Sequence, residues 1–251
     1  MMDSIFVIPH HLASTGTAMP GDRFFRSMTL LLLTVFGTCL LQSTVAAQGA
    51  DPAINRPYQN ADYDRWVSLF ERPGREVYDR REAIVEAVRP EQGMVIADIG
   101  AGTGLFTRLF ATRVGLQGRV IAVDISAEFI DNILRTSRQQ GLDNVRGLVG
   151  GQRSTGLPPL AIDLAFICDT YHHFEHPQAM LTSIRQALRP GGELVIIDFK
   201  LVPGSSGAWV EGHVRADRES VIGEVEQAGF RLTEAPDLLH DNYFLRFVKL
   251  P

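Results

Sequence analysis

Val95-Ile96-Ala97-Asp98-Ile99-Gly100-Ala101-Gly102-Thr103-Gly104 decides how this chain folds. Its first half is an apolar run with β-branched residues, broken only by Asp98, and reads as a buried parallel strand. Three glycines then alternate with small residues, and Leu105-Phe106-Thr107-Arg108-Leu109-Phe110-Ala111 follows as an amphipathic helix. A strand, a glycine loop and a helix start together make a site for a nucleotide-like ligand. Glycine lets the backbone turn sharply and approach the ligand, and the first turn of a helix has N–H groups to spare.

The spacing narrows the ligand. The dinucleotide fingerprint G-x-G-x-x-G/A needs its third small residue inside the helix. Here the glycines fall at 100, 102 and 104, and position 105 is Leu. The pattern Asp-x-Gly-x-Gly-x-Gly resembles motif I of the class I S-adenosylmethionine (SAM)-dependent methyltransferases. That resemblance implies SAM as cofactor, with Asp98, Gly100, Ala101, Gly102 and Gly104 around its methionine part. It also implies an acid at the end of the next strand, holding the ribose hydroxyls. Arg119-Val120-Ile121-Ala122-Val123-Asp124 supplies that strand and acid, with Ile125 directly after it.

Outward from this centre the chain alternates strand and helix, which predicts a doubly wound α/β sheet. Ser126 caps a helix of about 127–140 that Gly141 ends. Strands follow at 144–149 and 163–168. A helix starts at His176-Pro177 and stops at Arg189-Pro190-Gly191-Gly192. Then come a strand at 193–199, a helix from Asp217 to Gly229, and strands at 230–234 and 243–249. Upstream, Asp62 to Glu71 is a short amphipathic segment carrying Tyr63, Trp66, Leu69 and Phe70. A helix of about 75–88 turns Val77, Ile84, Val85 and Val88 inward. This order is similar to the class I methyltransferase core across roughly residues 75–250. It implies a mostly parallel seven-stranded sheet whose last strand is antiparallel.

One departure and one rich stretch qualify the site. After its third strand the family usually has a Gly-Asp pair that holds the adenine; this chain has Gly150-Gly151-Gln152. Gln152 can still accept the same hydrogen bond through its carbonyl oxygen. The stretch Cys168-Asp169-Thr170-Tyr171-His172-His173-Phe174-Glu175-His176 follows the fourth strand, where ligands sit in open α/β sheets. The resemblance implies that Asp169 faces the SAM amino group and that Tyr171 and His172 or His173 face the methyl acceptor, as catalytic residues. A histidine there can take a proton from the attacking heteroatom. The alternative is that these histidines only cap and pack. A metal on His172, His173 and His176 is the lesser reading, because no cysteine joins them and the nearby acids have other duties; no metal is assigned. Arg75 and Tyr78 read either as a solvated helix start or as ligand contacts. Trp209 and His213, in the loop from Leu201 to Asp217, are candidate acceptor contacts.

Composition sets the remaining bounds. The chain has 251 residues, 45% of them hydrophobic, enough for one well-cored domain and an extension. A net charge of -5 excludes the basic profile of a general nucleic-acid binder. Two cysteines, Cys39 and Cys168, allow neither a disulfide framework nor metal knuckles. Arg23 and Arg26, the short apolar run from Met28 to Leu41, and Val45-Ala46-Ala47 read as a secretory signal peptide. An uncleaved anchor attaching the domain to a membrane is the alternative. The expected organisation is an N-terminal extension at 1–47, a polar linker at 48–61 and a methyltransferase domain at 62–251. The expected activity is methyl transfer from SAM to a small-molecule acceptor by an exported protein. An NAD(P)-linked oxidoreductase and a SAM-binding module without turnover are the competing classes.

Overall fold

The computed structural model describes residues 49–59 and 62–251. The signal-peptide reading therefore lies outside the described residues. Among them, no helix is long and apolar enough to cross a membrane.

Strand β1 (Val95–Ile99) is an interior strand of a seven-stranded sheet. Helix α5 (Leu105–Val114) carries the chain to β2 (Arg119–Asp124), and α6 (Ala127–Gln139) to β3 (Val145–Val149). The chain then crosses to the other side of β1 as β4 (Ile162–Cys168), α7 (Pro177–Ala187) and β5 (Leu188–Phe199). After α8 (Ala208–His213) and α9 (Arg218–Gln227) it ends in β6 (Phe230–Glu234) and β7 (Asn242–Lys249). The spatial order is β3-β2-β1-β4-β5-β7-β6. Only β7 runs antiparallel to its neighbours, as the sequence implies. The order reverses between β1 and β4, and the carboxyl ends of these two strands flank the crevice where an open α/β sheet binds its ligand.

Side-chain alternation splits the core into two layers. Ala97 and Ile99 face one side, with Ile167, Ile196 and Leu245, under α7 and α9. Ile96 faces the other, with Phe166, Val195 and Ile197, under α5, α6 and the N-terminal helix α4 (Arg81–Val88). Asp98 lies on this second side, beneath α5.

Three expectations change in detail. The helix expected at 75–88 breaks at Arg80 (φ -96°, ψ 8°) into α3 (Glu76–Asp79) and α4, while its apolar face still packs inward. The Pro190-Gly191-Gly192 turn lies within β5: its pairing with β4 skips from Ile162–Leu188 to Leu164–Glu193, and the residues between loop outward. The stretch read as a polar linker holds a 3-10 turn (Pro52–Asn55), capped by Asp51, and helix α1 (Arg56–Gln59). Tertiary contacts hold that short piece. The Ala50 N–H donates to the Phe174 carbonyl, and buried Asn55 donates to the His173 carbonyl and to Glu175.

Candidate functional site

The glycine loop is shaped by what surrounds it. Gly100 has φ +73°, and a Cβ there would overlap the Thr170 side chain. Its bare backbone therefore lets the loop after β4 close against the loop after β1. Gly102 differs: at φ +54° its Cβ direction opens into the cleft, with Phe70 at 3.7 Å as the nearest protein atom. Its N–H donates to Asp124 Oδ2 at 2.9 Å, and the Ser126 N–H donates to Asp124 Oδ1 at 2.9 Å. The β2 acid thus braces the loop as well as lining the cleft. Burial pushes its carboxyl above the usual range against those hydrogen bonds. Gly104 starts α5; a Cβ there would press on Ile133 at 2.7 Å, so this glycine serves the fold.

A cleft of about 740 Å³ opens beside the loop. Gly100, Gly102, Asp124, Ile125, Gln152 and Asp169 line it, with Phe129 and Met180 as apolar walls. A second cleft of about 1320 Å³ adjoins it, lined by Asp98, Ala101, His172, Trp209 and His213 among others. Gly100, Gly102, Asp169 and His173 border both. Two aromatic residues, Tyr58 and Phe70, also border both and form part of a clasp over the loop. Tyr58 stacks on Trp66 at 4.7 Å, and Trp66 lies 4.9 Å from Phe70. Helix α2 (Tyr63–Phe70) is tied down by the Tyr63 hydroxyl, which donates to the Thr103 carbonyl, and by Arg108, which donates to both oxygens of Glu71 at 2.8 Å.

Asp98 is 3% exposed and accepts a hydrogen bond from Thr107 Oγ1. Burial raises its carboxyl to about 6, helped by the Asp124 charge and opposed by Thr107. Between the ordinary carboxyl range and about 6, the folded protein holds a proton that the unfolded chain has released. Stability should therefore fall as pH rises through that window. Asp98→Asn removes the penalty, so its melting temperature should gain more on the wild type at about pH 8 than at about pH 5. An equal difference at both pH values would assign the titration to another group.

The loop after β4 separates the residues the sequence grouped there. Asp169 sits in the left-handed region at φ +48°. Its carboxylate accepts from Arg75, whose guanidinium lies 4.9 Å over the Phe70 ring, and from Asn242 Nδ2 at 2.6 Å. Arg75 therefore belongs to the site wall. Tyr78 does not line it and instead lies under Arg81. Burial raises the Asp169 carboxyl despite Arg75. Tyr171 corrects an expectation: it is 1% exposed, points into the core, and donates its hydroxyl to Glu224 Oε2 at 2.7 Å. It reaches neither cleft, so it has no access to an acceptor.

His172 takes the opposite direction. Its backbone N–H donates to Asp198 Oδ2 at 2.9 Å, and its Nδ1 faces Asp198 Oδ1 at 2.7 Å. Burial opposes a charge on His172, but the Asp198 carboxylate more than offsets it and raises the imidazole above its ordinary range. His173 Nδ1 lies 3.1 Å from Asn55 Oδ1. Burial, then its histidine neighbours, lowers His173 to about 3. Helix α8 brings His213 within 5.2 Å of both rings and stacks it on Trp209 at 4.4 Å. His176 instead precedes α7 as its cap residue.

Asn55, Tyr58 and Asp198 were not singled out from the sequence. For Asp198 a signal existed: it is the lone acid in the apolar run from Leu194 to Phe199, as Asp98 is in β1. Asn55 and Tyr58 carried none, because a short polar stretch with two prolines reads as a linker.

Comparison with known proteins agrees with this layout. Residues 96–192 match the methyltransferase domain family. The chain is similar to the ubiquinone/menaquinone biosynthesis C-methyltransferase UbiE of Hydrogenovibrio crunogenus, 30% identical over 125 residues, 49% of this chain and 48% of that protein. It thus spans about half the length of that curated relative. Among solved structures, a SAM-dependent methyltransferase from Aquifex aeolicus superposes with TM-score 0.67 at 24% identity, over 76% of this chain and 100% of that one. Phosphoethanolamine N-methyltransferase 2 of Haemonchus contortus, in complex with SAM, gives TM-score 0.64 at 18% identity, over 79% of this chain and 59% of that one. Residues 96–192 thus carry a match to the methyltransferase domain family, set in the strand order of the class I SAM-dependent methyltransferase fold.

Proposed function

We propose that the protein transfers the methyl group of SAM to a small-molecule acceptor. The observation that carries this is the junction of the two clefts: a braced glycine loop with its acid on one side, an imidazole-lined chamber on the other. The residues fit the cofactor. Gly102 leaves its Cβ volume to the cleft, and Asp124 lines it beside the loop. Asp124, Gly100 and Gly102 would hold the ribose and methionine parts, Gln152 the adenine, and Asp169 the amino group. When bound, SAM supplies a methyl group activated on a sulfonium.

The protein's own work is then positioning and exclusion of water. Tyr58 and Phe70 cover the loop, and Arg75 fixes Asp169. Trp66, Phe70 and Trp209 suit an acceptor with a flat apolar body. His172 and His173 would meet its polar, reacting end. Asp198 and Asn55 hold the Nδ1 side of those rings.

The test is a panel of hydroxylated aromatic and quinol-like acceptors incubated with labelled SAM. Label transfer together with S-adenosylhomocysteine release supports the proposal. SAM binding without product from any acceptor would favour a binding module, and NADH binding in place of SAM an oxidoreductase.

We also propose, from its sequence pattern, that residues 1–47 export the domain. N-terminal sequencing of fractionated cells should then find a chain starting at Gln48 outside the cytosol. A chain retaining residues 1–47 in the cytosolic fraction would overturn it.

A further inference from the structure

We propose that His172, His173 and His213 form a binding site for a divalent transition-metal ion of the zinc class. One ring nitrogen from each lies within 4.8 Å of the other two. They come from two separate places, the 3-10 turn after β4 (Tyr171–His173) and the last residue of α8. Three nitrogen donors converging from separate segments is a common zinc arrangement, and it leaves a fourth position open.

Packing alone leaves two of these atoms unexplained. His172 Nε2 and His213 Nε2 are buried and have no hydrogen-bond partner, and His172 is only 3% exposed. Buried polar atoms nearly always find a partner, so two adjacent orphans on one cleft wall point to a ligand between them. The other side of the rings is already arranged. Asp198 accepts from His172 Nδ1, which fixes the tautomer and leaves the Nε2 lone pair facing the cleft. Asn55 Oδ1 does the same for His173. Carboxylates and carbonyl oxygens behind imidazoles are what orients metal-bound histidines. Tetrahedral ligation at 2.0–2.1 Å needs nitrogens about 3.3 Å apart, so the three rings would draw together on an ion from their present spacing of up to 4.8 Å.

His213 is the member that sequence spacing could not supply. The ion would sit in the acceptor cleft with its open position beside Trp209. There it would take an oxygen or nitrogen lone pair of a ligand, and an acceptor would meet the imidazoles through it. The site needs only the three imidazoles, so it stands independently of methyl transfer.

Cobalt(II), titrated into metal-free protein and followed in the visible spectrum, is the probe. The wild type should develop the intense absorption of tetrahedral cobalt, saturating at one bound ion. His172→Gln and His213→Gln should each weaken that band's formation by at least roughly 100-fold while still binding SAM like the wild type. His10 and His11 lie elsewhere in the sequence, so the variants decide rather than the stoichiometry alone. No tetrahedral band in the wild type, or a band unchanged in both variants, would overturn the site.

Discussion

Gly102→Val is expected to fold and to lose SAM affinity by about 100-fold. The added side chain meets little protein: Phe70, at 3.7 Å from the Cβ position, is its nearest neighbour. The valine methyls would therefore occupy the cleft that Gly102 and Asp124 line, not the core. Forcing extra carbon into a filled site costs about 1–3 kcal/mol, which is up to about a hundredfold in affinity. A side chain at φ +54° adds about 1–2 kcal/mol of backbone strain, which a domain of this size survives. Gly100→Ala is the contrasting variant. Its Cβ overlaps Thr170, so it should lower the melting temperature by forcing the two loops apart. Calorimetry and circular dichroism on both variants separate the effects. Normal SAM affinity in a folded Gly102→Val protein would reduce the glycine loop to a turn.

The second large effect is expected from Asp198→Asn: turnover down by roughly 10–100-fold with SAM affinity unchanged. Asp198 is 1% exposed and accepts from the His172 N–H, His172 Nδ1 and the Phe199 N–H. An asparagine has one acceptor oxygen for these three donors. Where its amide nitrogen meets Nδ1, the imidazole must turn its lone pair inward and its N–H toward the cleft. Anything that the Nε2 lone pair holds, whether an acceptor proton or a metal ion, then loses its partner. Because Asp198 lines neither cleft, a fall in turnover at constant SAM affinity marks positioning and not lost cofactor contact. Unchanged turnover would mean that His172 has no part in the reaction.

Legibility in the sequence followed how local each signal was. The strand, the glycine loop and the acid of β2 are fixed by neighbours in sequence, and all three lie where the motif put them. Tyr171 failed because it adjoins His172 in a 3-10 turn, where successive side chains point in different directions. One enters the core against Glu224 and the other the cleft against Asp198, and no periodic pattern over three residues distinguishes them. His213 and Asn55 approach His173 from remote segments, so only the folded chain brings them together. The short helix α1 lacks a periodic apolar face and follows a turn whose Ala50 and Asn55 are tied to Phe174 and Glu175. Arg80 broke an expected helix without moving its inward face, because Val77 and Ile84 still reach the same layer.

Titration of SAM into the full chain by isothermal calorimetry, with NADH as the competitor ligand, tests the account most directly. One saturable SAM site per chain, weakened at least tenfold by Asp124→Ala and indifferent to NADH, is the predicted result. Heat of binding from NADH with none from SAM, or SAM affinity untouched by the loss of Asp124, would contradict it.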